Sequence, residues 1–205
     1  DIFATYHPDA GSYDELRSPD GALRPAWARL LPFLSRLGLP ELVRREKAAA
    51  RQLQENGATY NVHDDAGVDH PWELDAIPFV IAEDEWRTLG AGLLQRANLL
   101  DRLLADVYGP QRVLREGLLP PAVVFDHPNY LHACQGIAVP EQRYLHVYAA
   151  DLVRGPDGRW NVLRDLAQAP AGAGYALENR IVLSRLLGHV FRECQVQRLA
   201  LFFQT

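Results

Sequence analysis

The sequence predicts an α+β fold, with a helical N-terminal region over residues 1–76 and a mixed region of strands and helices over 77–205. Three observations carry this expectation. Apolar residues recur at three- and four-residue spacing between Pro25 and Gly57 and again between Glu83 and Tyr108, the period of a helix with one buried face. Beyond Pro120-Pro121 the pattern changes to short apolar runs around Gly155-Pro156-Asp157-Gly158, a turn signal. With 205 residues, 48% hydrophobic and 23% charged, the chain is long and apolar enough for a substantial core.

The first dozen residues, rich in Asp, Pro and Gly, read as an irregular lead-in. Pro25 suits the first position of a helix that runs through Trp27, Leu30, Leu31 and Leu34 towards Gly38. Pro40 opens a second helix whose Leu42, Val43, Ala49, Ala50 and Leu53 share a face. Asn56-Gly57 ends it, since both tolerate the left-handed conformation. Thr59 to Val62 reads as a short strand, and His63 to His70 as a loop. Ile77 to Ile81 is strand-like. The helix from Glu83 to Tyr108 begins with three acids that suit its positive end. It carries Leu89, Leu93, Leu94, Ala97, Leu100, Leu103, Leu104 and Val107 on one stripe, and Gly109-Pro110 stops it. Ala122 to Phe125 is expected as a short buried strand. Arg143–Asp151 and Arg159–Asp165 are the expected arms of a hairpin. The small-residue loop Ala169 to Gly174 opens a helix from Tyr175 to about Cys194. Gln197 to Phe203 reads as a strand with its sheet neighbours later in a longer chain.

A net charge of −5 argues against a general nucleic-acid surface, although local arginines can still hold phosphates. No apolar run is long enough to cross a bilayer, and the first residues lack the basic flank and apolar stretch of a signal peptide. The expectation is therefore a cytoplasmic protein with no membrane partner. Cys134 and Cys194, sixty positions apart, are expected as free thiols. Lys47 is the only lysine among 21 basic residues, the others being arginine.

The densest chemistry lies between Asp151 and Arg180. Asp151 and Asp165, on the two arms of the hairpin, place two carboxylates where both can project from one sheet edge, with Gln168 just beyond. Magnesium takes such hard oxygen ligands together with phosphates and water. The same acids equally serve as turn and strand-end residues. The loop that contains Gly172 and Gly174 lets backbone N–H groups approach an anion ahead of a helix, but it is neither a Walker loop nor a Rossmann fingerprint. Glu178, Asn179 and Arg180, in the first turns of that helix, are placed to face metal, ligand and phosphate, or simply solvent. His127, His132 and Cys134, and separately His63, Asp64, Asp65 and His70, match no common zinc spacing. A metal-dependent hydrolase using His127 and His132 is a weaker alternative. No Gly-x-Ser-x-Gly elbow is present, and Ser184 sits mid-helix.

Several segments together resemble the circularly permuted ATP-grasp family, which is related in fold to glutathionylspermidine synthetases. They are Glu55 to Val62, Pro71-Trp72-Glu73-Leu74-Asp75, Leu104 to Gln111, Arg115 to Pro121, Tyr148 to Leu152 and Gln168 to Arg180. The resemblance runs in the family's order from about Tyr13 onward. It implies a partial ATP-grasp fold, a mixed or antiparallel sheet with flanking helices, whose metal-binding lobe begins at 77 and is incomplete. It further implies an ATP- and Mg2+-dependent ligase that joins a carboxylate to an amine through an acyl phosphate. By the same resemblance, Asp151, Asp165 and Glu178 are metal-binding acids and Gln168, Gly172, Gly174 and Asn179 are cofactor-binding. Arg180 is the catalytic guanidinium, on a phosphate or acyl phosphate. The chain has Asp165 with Gln168 where the family usually has Glu-x-Asn, which leaves Glu178-Asn179 as an alternative metal pair. Lys47 alone cannot supply the two lysines that usually hold the phosphates. Permutation places those in a later C-terminal lobe, so the 205 residues alone are expected to lack activity. A non-catalytic scaffold that binds a nucleotide or a protein is the alternative function.

Overall fold

The computed structural model describes residues 3, 5–9, 11–61 and 69–204. It is an α+β structure of helices and two small antiparallel ribbons, β1-β2 and β3-β4. Its contacts divide into two compact units. One joins Asp1–Ala82 with Ala171–Thr205, and the other is Glu83–Pro170. The sequence had placed a boundary after residue 76.

In the first unit a short 3-10 turn, Pro25–Trp27, leads into α1 (Leu30–Leu37) and α2 (Leu39–Glu55), so the first expected helix is broken in two. Leu30 and Leu34 of α1, Leu42 of α2, and Leu16, Trp27, Ala76 and Val190 form one core cluster. Ala49 and Leu53, further along α2, pack with Val182 in a second. Those α2 positions fall on one helical stripe, whereas Val43 and Ala50, expected on the same face, are exposed. The helix stops where Asn56-Gly57 was expected to stop it. Gly57 takes φ 71°, the Gly57 amide bonds the Gln54 carbonyl, and the Ala58 amide bonds that of Leu53 at 2.9 Å. This pairing satisfies the last carbonyls, and only a residue without a β-carbon enters it cheaply.

β1 (Thr59–Asn61) and β2 (Asp69–Pro71) then pair antiparallel, with Tyr60 opposite His70. The expected residues His63, Asp64 and Asp65 lie outside the described residues, as does Val62. The expected strand at Ile77 to Ile81 has no regular structure. At the other end of the unit, α6 (Ala173–Leu186) and α7 (Gly188–Glu193) replace the single helix expected to reach Cys194. The break falls at Leu187, which is buried and leaves helical geometry at φ −118°, ψ 29°, just before Gly188. Glycine's poor helix propensity makes the interruption inexpensive. The expected C-terminal strand is a 3-10 turn, Ala200–Phe203, with Leu201, Phe202 and Phe203 exposed.

The second unit begins with α3 (Glu83–Val107), whose bounds match the sequence reading closely. Its stripe is buried or half-buried, with the exception of Leu94, which is exposed. Two short helices follow, α4 (Arg112–Arg115) and α5 (Pro121–Phe125). The α5 turn replaces the expected buried strand, and Val123 within it is exposed. A four-residue apolar run carries too little periodicity to separate helix from strand, and the preceding prolines favour helix entry. β3 (Ala149–Arg154) and β4 (Trp160–Leu166) form the expected hairpin, but its first arm starts and ends later than Arg143–Asp151. The Gly155 amide bonds the Arg159 carbonyl across the turn at 2.9 Å. Glu85 of α3 accepts from Trp160 Nε1 at 3.0 Å and from Arg154, which also lies over the Trp160 ring. This buried guanidinium ties the ribbon's turn end to the start of α3.

Candidate functional site

In the β3-β4 ribbon the register pairs Ala150 with Asp165 and Asp151 with Arg164. Cross-strand partners share a face and consecutive residues alternate, so Asp151 and Asp165 project from opposite faces. The expectation that both carboxylates leave one sheet edge together is therefore corrected. Asp165 faces inward. Its Oδ1 accepts from Arg96 Nε at 3.0 Å and from the Tyr148 hydroxyl at 2.6 Å, and Oδ2 accepts from Arg96 Nη2 at 2.6 Å. The Arg96 fork, with Tyr148 second, holds the Asp165 carboxyl below the usual carboxylate range. Asp151 faces outward, where its Oδ2 accepts from Arg164 at 2.9 and 2.6 Å. Gln168, exposed just past β4, accepts from Asn129 Nδ2 at 3.1 Å through Oε1.

His127, His132 and Cys134 belong to the same unit and have other company. His127 Nδ1 accepts the Asn129 amide, and His132 packs against Phe125 and Tyr130. Cys134 and Cys194 are free thiols. Within neither unit do the described residues gather three or more His, Cys, Asp or Glu side chains as a metal cluster.

The first turns of α6 are built from the segments that carried the family resemblance. Gly172 stands at the N-cap with φ 105°, and nothing lies near the position of an added β-carbon at Gly172 or Gly174. Positive φ there requires glycine, and the open space leaves the backbone N–H groups approachable. Tyr175 stacks on Trp72 with ring centroids 4.4 Å apart, and its hydroxyl donates to the Thr59 carbonyl. Tyr60 meets the Trp72 ring edge-on at 6.2 Å. Trp72 Nε1 donates to Asn179 Oδ1 at 2.7 Å, and Asn56 Nδ2 donates to Glu178 Oε1. Residues distant in sequence (the α2 cap, the β1-β2 ribbon and α6) thus fix the acid-amide pair in place.

These contacts leave the second Glu178 carboxylate oxygen without a described hydrogen bond, so a hard cation's donor remains available there. Arg180, one residue on, is half-buried, with its guanidinium 5.9 Å from the Phe191 ring centroid. Burial alone lowers its pKa from the ordinary arginine value, and no carboxylate among the described residues of its unit offsets the loss of water. An arginine remains charged under such conditions, so an anion is the fitting counterpart. Lys47, on α2, is exposed.

The sequence reading missed the partners rather than the donors. Arg96 falls within the apolar stripe of α3, three residues after Leu93 and four before Leu100, with no motif to mark it. Trp72, Asn56 and Tyr175 were visible in family-like segments, but nothing in their spacing revealed that they meet.

Comparison with known proteins gives this arrangement its context. The family model described as circularly permuted ATP-grasp type 2 matches residues 78–205, more than half of the chain. An uncharacterized protein of Mycobacterium tuberculosis is 41% identical over 195 residues, covering 91% of this chain and 22% of its own length. One from Synechocystis is 38% identical over 187 residues, covering 90% and 39%. A Frankia alni protein named as a putative glutamate–cysteine ligase is 36% identical over 188 residues, covering 91% and 21%. The chain therefore spans between about a fifth and two fifths of the length of these relatives. With the match taking in the β3-β4 hairpin and the Gly172–Arg180 helix start together, the chain belongs to the circularly permuted ATP-grasp type 2 family.

Proposed function

We propose that this chain is part of an ATP- and Mg2+-dependent ligase that joins a carboxylate to an amine through an acyl phosphate. The single observation that carries the reading is the family match over 78–205, supported by the Frankia relative's name. Each unit carries donors of the kind that a magnesium–nucleotide complex takes. Glu178 and Asn179 in the first unit, and Asp151, Asp165 and Gln168 in the second, offer hard oxygens, and magnesium takes one or two carboxylates alongside phosphate oxygens. Because Asp151 and Asp165 lie on opposite ribbon faces, they do not serve one ion in this arrangement, and Glu178 with Asn179 is the better-supported pair.

When bound, the divalent cations neutralise phosphate charge that develops during transfer. The chain's own residues do the rest. The backbone N–H groups at Gly172 and Gly174 would bind phosphate oxygens. The Arg180 guanidinium, with no carboxylate among the described residues of its unit beside it, would stabilise the transferred phosphoryl or the acyl phosphate. Trp72 and Asn56 hold Asn179 and Glu178 in place through their hydrogen bonds. The phosphate-binding lysines, the completing lobe and a cytoplasmic location remain parts of the proposal. The 205 residues alone are expected to be inactive.

The test is amide formation by the full-length protein with alanine at Asp151, Asp165 or Glu178. Loss of turnover in a folded variant supports the ligase. Full activity in all three removes the acids from the reaction. A scaffold instead retains partner binding in the same variants and shows no turnover even in the parent.

A further inference from the structure

A second polar site lies in the first unit and shares Asn56 alone with the residues discussed above. A cleft of about 310 Å³ opens between α2 and α6, lined by Ala48, Arg51, Gln52, Glu55, Asn56 and Arg185. That volume is at the small end of the roughly 300–1,000 Å³ typical of small-molecule sites. Ala48, Arg51, Gln52 and Glu55 follow one another at three- and four-residue steps, so they form a single stripe of α2, and Arg185 faces them from α6.

On the same helix Arg44 and Arg45 both pair with Glu41, at 2.6 and 2.8 Å. Arg51 and Glu55 are also four residues apart, yet neither they nor Arg185 carry an ion pair or side-chain hydrogen bond among the described residues. An arginine that precedes its acid by four is the weaker orientation for a helical pair. Beside them the Gln52 amide nitrogen is buried without an acceptor, an unfavourable state. The arrangement is also bipolar. Glu55 sits at the negative C-terminal end of α2, which suits a cation, whereas Arg51, one turn back, and Arg185 suit carboxylates.

We propose that this cleft binds a free acidic amino acid. Arg51 and Arg185 take its two carboxylates and Glu55 its ammonium group. Two arginines and one glutamate leave one net positive charge, which complements the single net negative charge of such a ligand at neutral pH. Asn56 links the cleft to the candidate site, because it lines the cleft while donating to Glu178. Binding stands on the cleft's own charges, and only the ligand's role as a reactant rests on the ligase reading.

The experiment is isothermal titration of the full-length protein with L-glutamate, glutarate, L-alanine and inorganic phosphate. L-glutamate is expected to bind at least about tenfold more tightly than the other three. Arg51→Gln and Arg185→Gln are each expected to weaken it about tenfold, the scale of one lost charge-assisted hydrogen bond. Glu55→Gln is expected to weaken L-glutamate while sparing glutarate. All three side chains are exposed, so the variants keep the fold, which melting curves verify. No L-glutamate heat up to about 10 mM overturns the proposal. So does unchanged affinity in the variants, or binding of phosphate or glutarate as tight as that of L-glutamate. Mg2+–ATP binding, measured separately in Arg51→Gln, is expected to match the parent. Its absence in both proteins counts against the ligase reading and leaves the amino-acid site standing.

Discussion

Replacing Trp72 separates two contributions that hold the start of α6. The indole makes one hydrogen bond to Asn179 Oδ1 and one ring stack with Tyr175. Trp72→Phe removes the N–H and keeps an aromatic ring. A neutral hydrogen bond of this kind contributes about 0.5–1.5 kcal/mol net, so the expected loss is about 1 kcal/mol. Trp72→Ala also removes the stack, worth roughly 0.5–1.5 kcal/mol, and much of the buried ring. For a half-buried tryptophan the total should approach the lower end of the ~3–5 kcal/mol range for such truncations. The assay is urea unfolding followed by far-ultraviolet circular dichroism, with Asn179→Ala and the Trp72→Phe/Asn179→Ala double variant completing a cycle. A coupling energy of about 1 kcal/mol is expected. Strictly additive losses would refute the claim that Trp72 positions Asn179.

Other consequences follow from the same geometry. Leu53→Ala, at a fully buried position of the second core cluster, should cost about 2–5 kcal/mol in the same unfolding assay, against almost nothing for the exposed Lys47→Ala. Gly172→Ala should cost roughly 1–2 kcal/mol from backbone strain at φ 105°, because the space for the methyl is open. Arg96→Gln should let the Asp165 carboxyl titrate closer to its ordinary range, as read by carboxyl-carbon NMR. The Asp165 value is depressed in the folded state, so its stabilising contribution is present above an unfolded value of about 3.9 and fades as pH falls through the folded one. Glu41 is depressed to about 2 by hydrogen bonds from Arg44 and then Arg45. Its contribution to α2 should likewise persist above an unfolded value of about 4.3 and disappear towards pH 2, as acid titration of helicity would reveal.

The legible parts of the fold are those with long periodic signals or specific turn chemistry. The α3 stripe runs through 25 residues, so a single exposed Leu94 does not disturb it. Asn56-Gly57 and the Gly155–Gly158 turn declare themselves through residues whose backbone freedom the turn demands. Short apolar runs do not. Ala122–Phe125 and Gln197–Phe203 read as strands because hydrophobicity over so few residues has no period, and the chain forms helical turns there, Pro121–Phe125 and Ala200–Phe203. The site followed the same division. The carboxylates and glycines are visible as residue types, but the one-residue register that sets Asp151 and Asp165 on opposite faces depends on pairing within the ribbon. The Trp72–Asn179 bond spans 107 positions and leaves no local trace.

The central claim, that acids and glycines between Asp151 and Arg180 serve a magnesium–nucleotide complex, is tested most directly by thermal melting of the full-length protein with ATP, with and without Mg2+. At about a hundredfold excess over the dissociation constant, binding should stabilise the protein by about 2.7 kcal/mol. That gain should require Mg2+ and should be lost in Glu178→Gln. An equal shift without Mg2+, or no shift with it, would contradict the account.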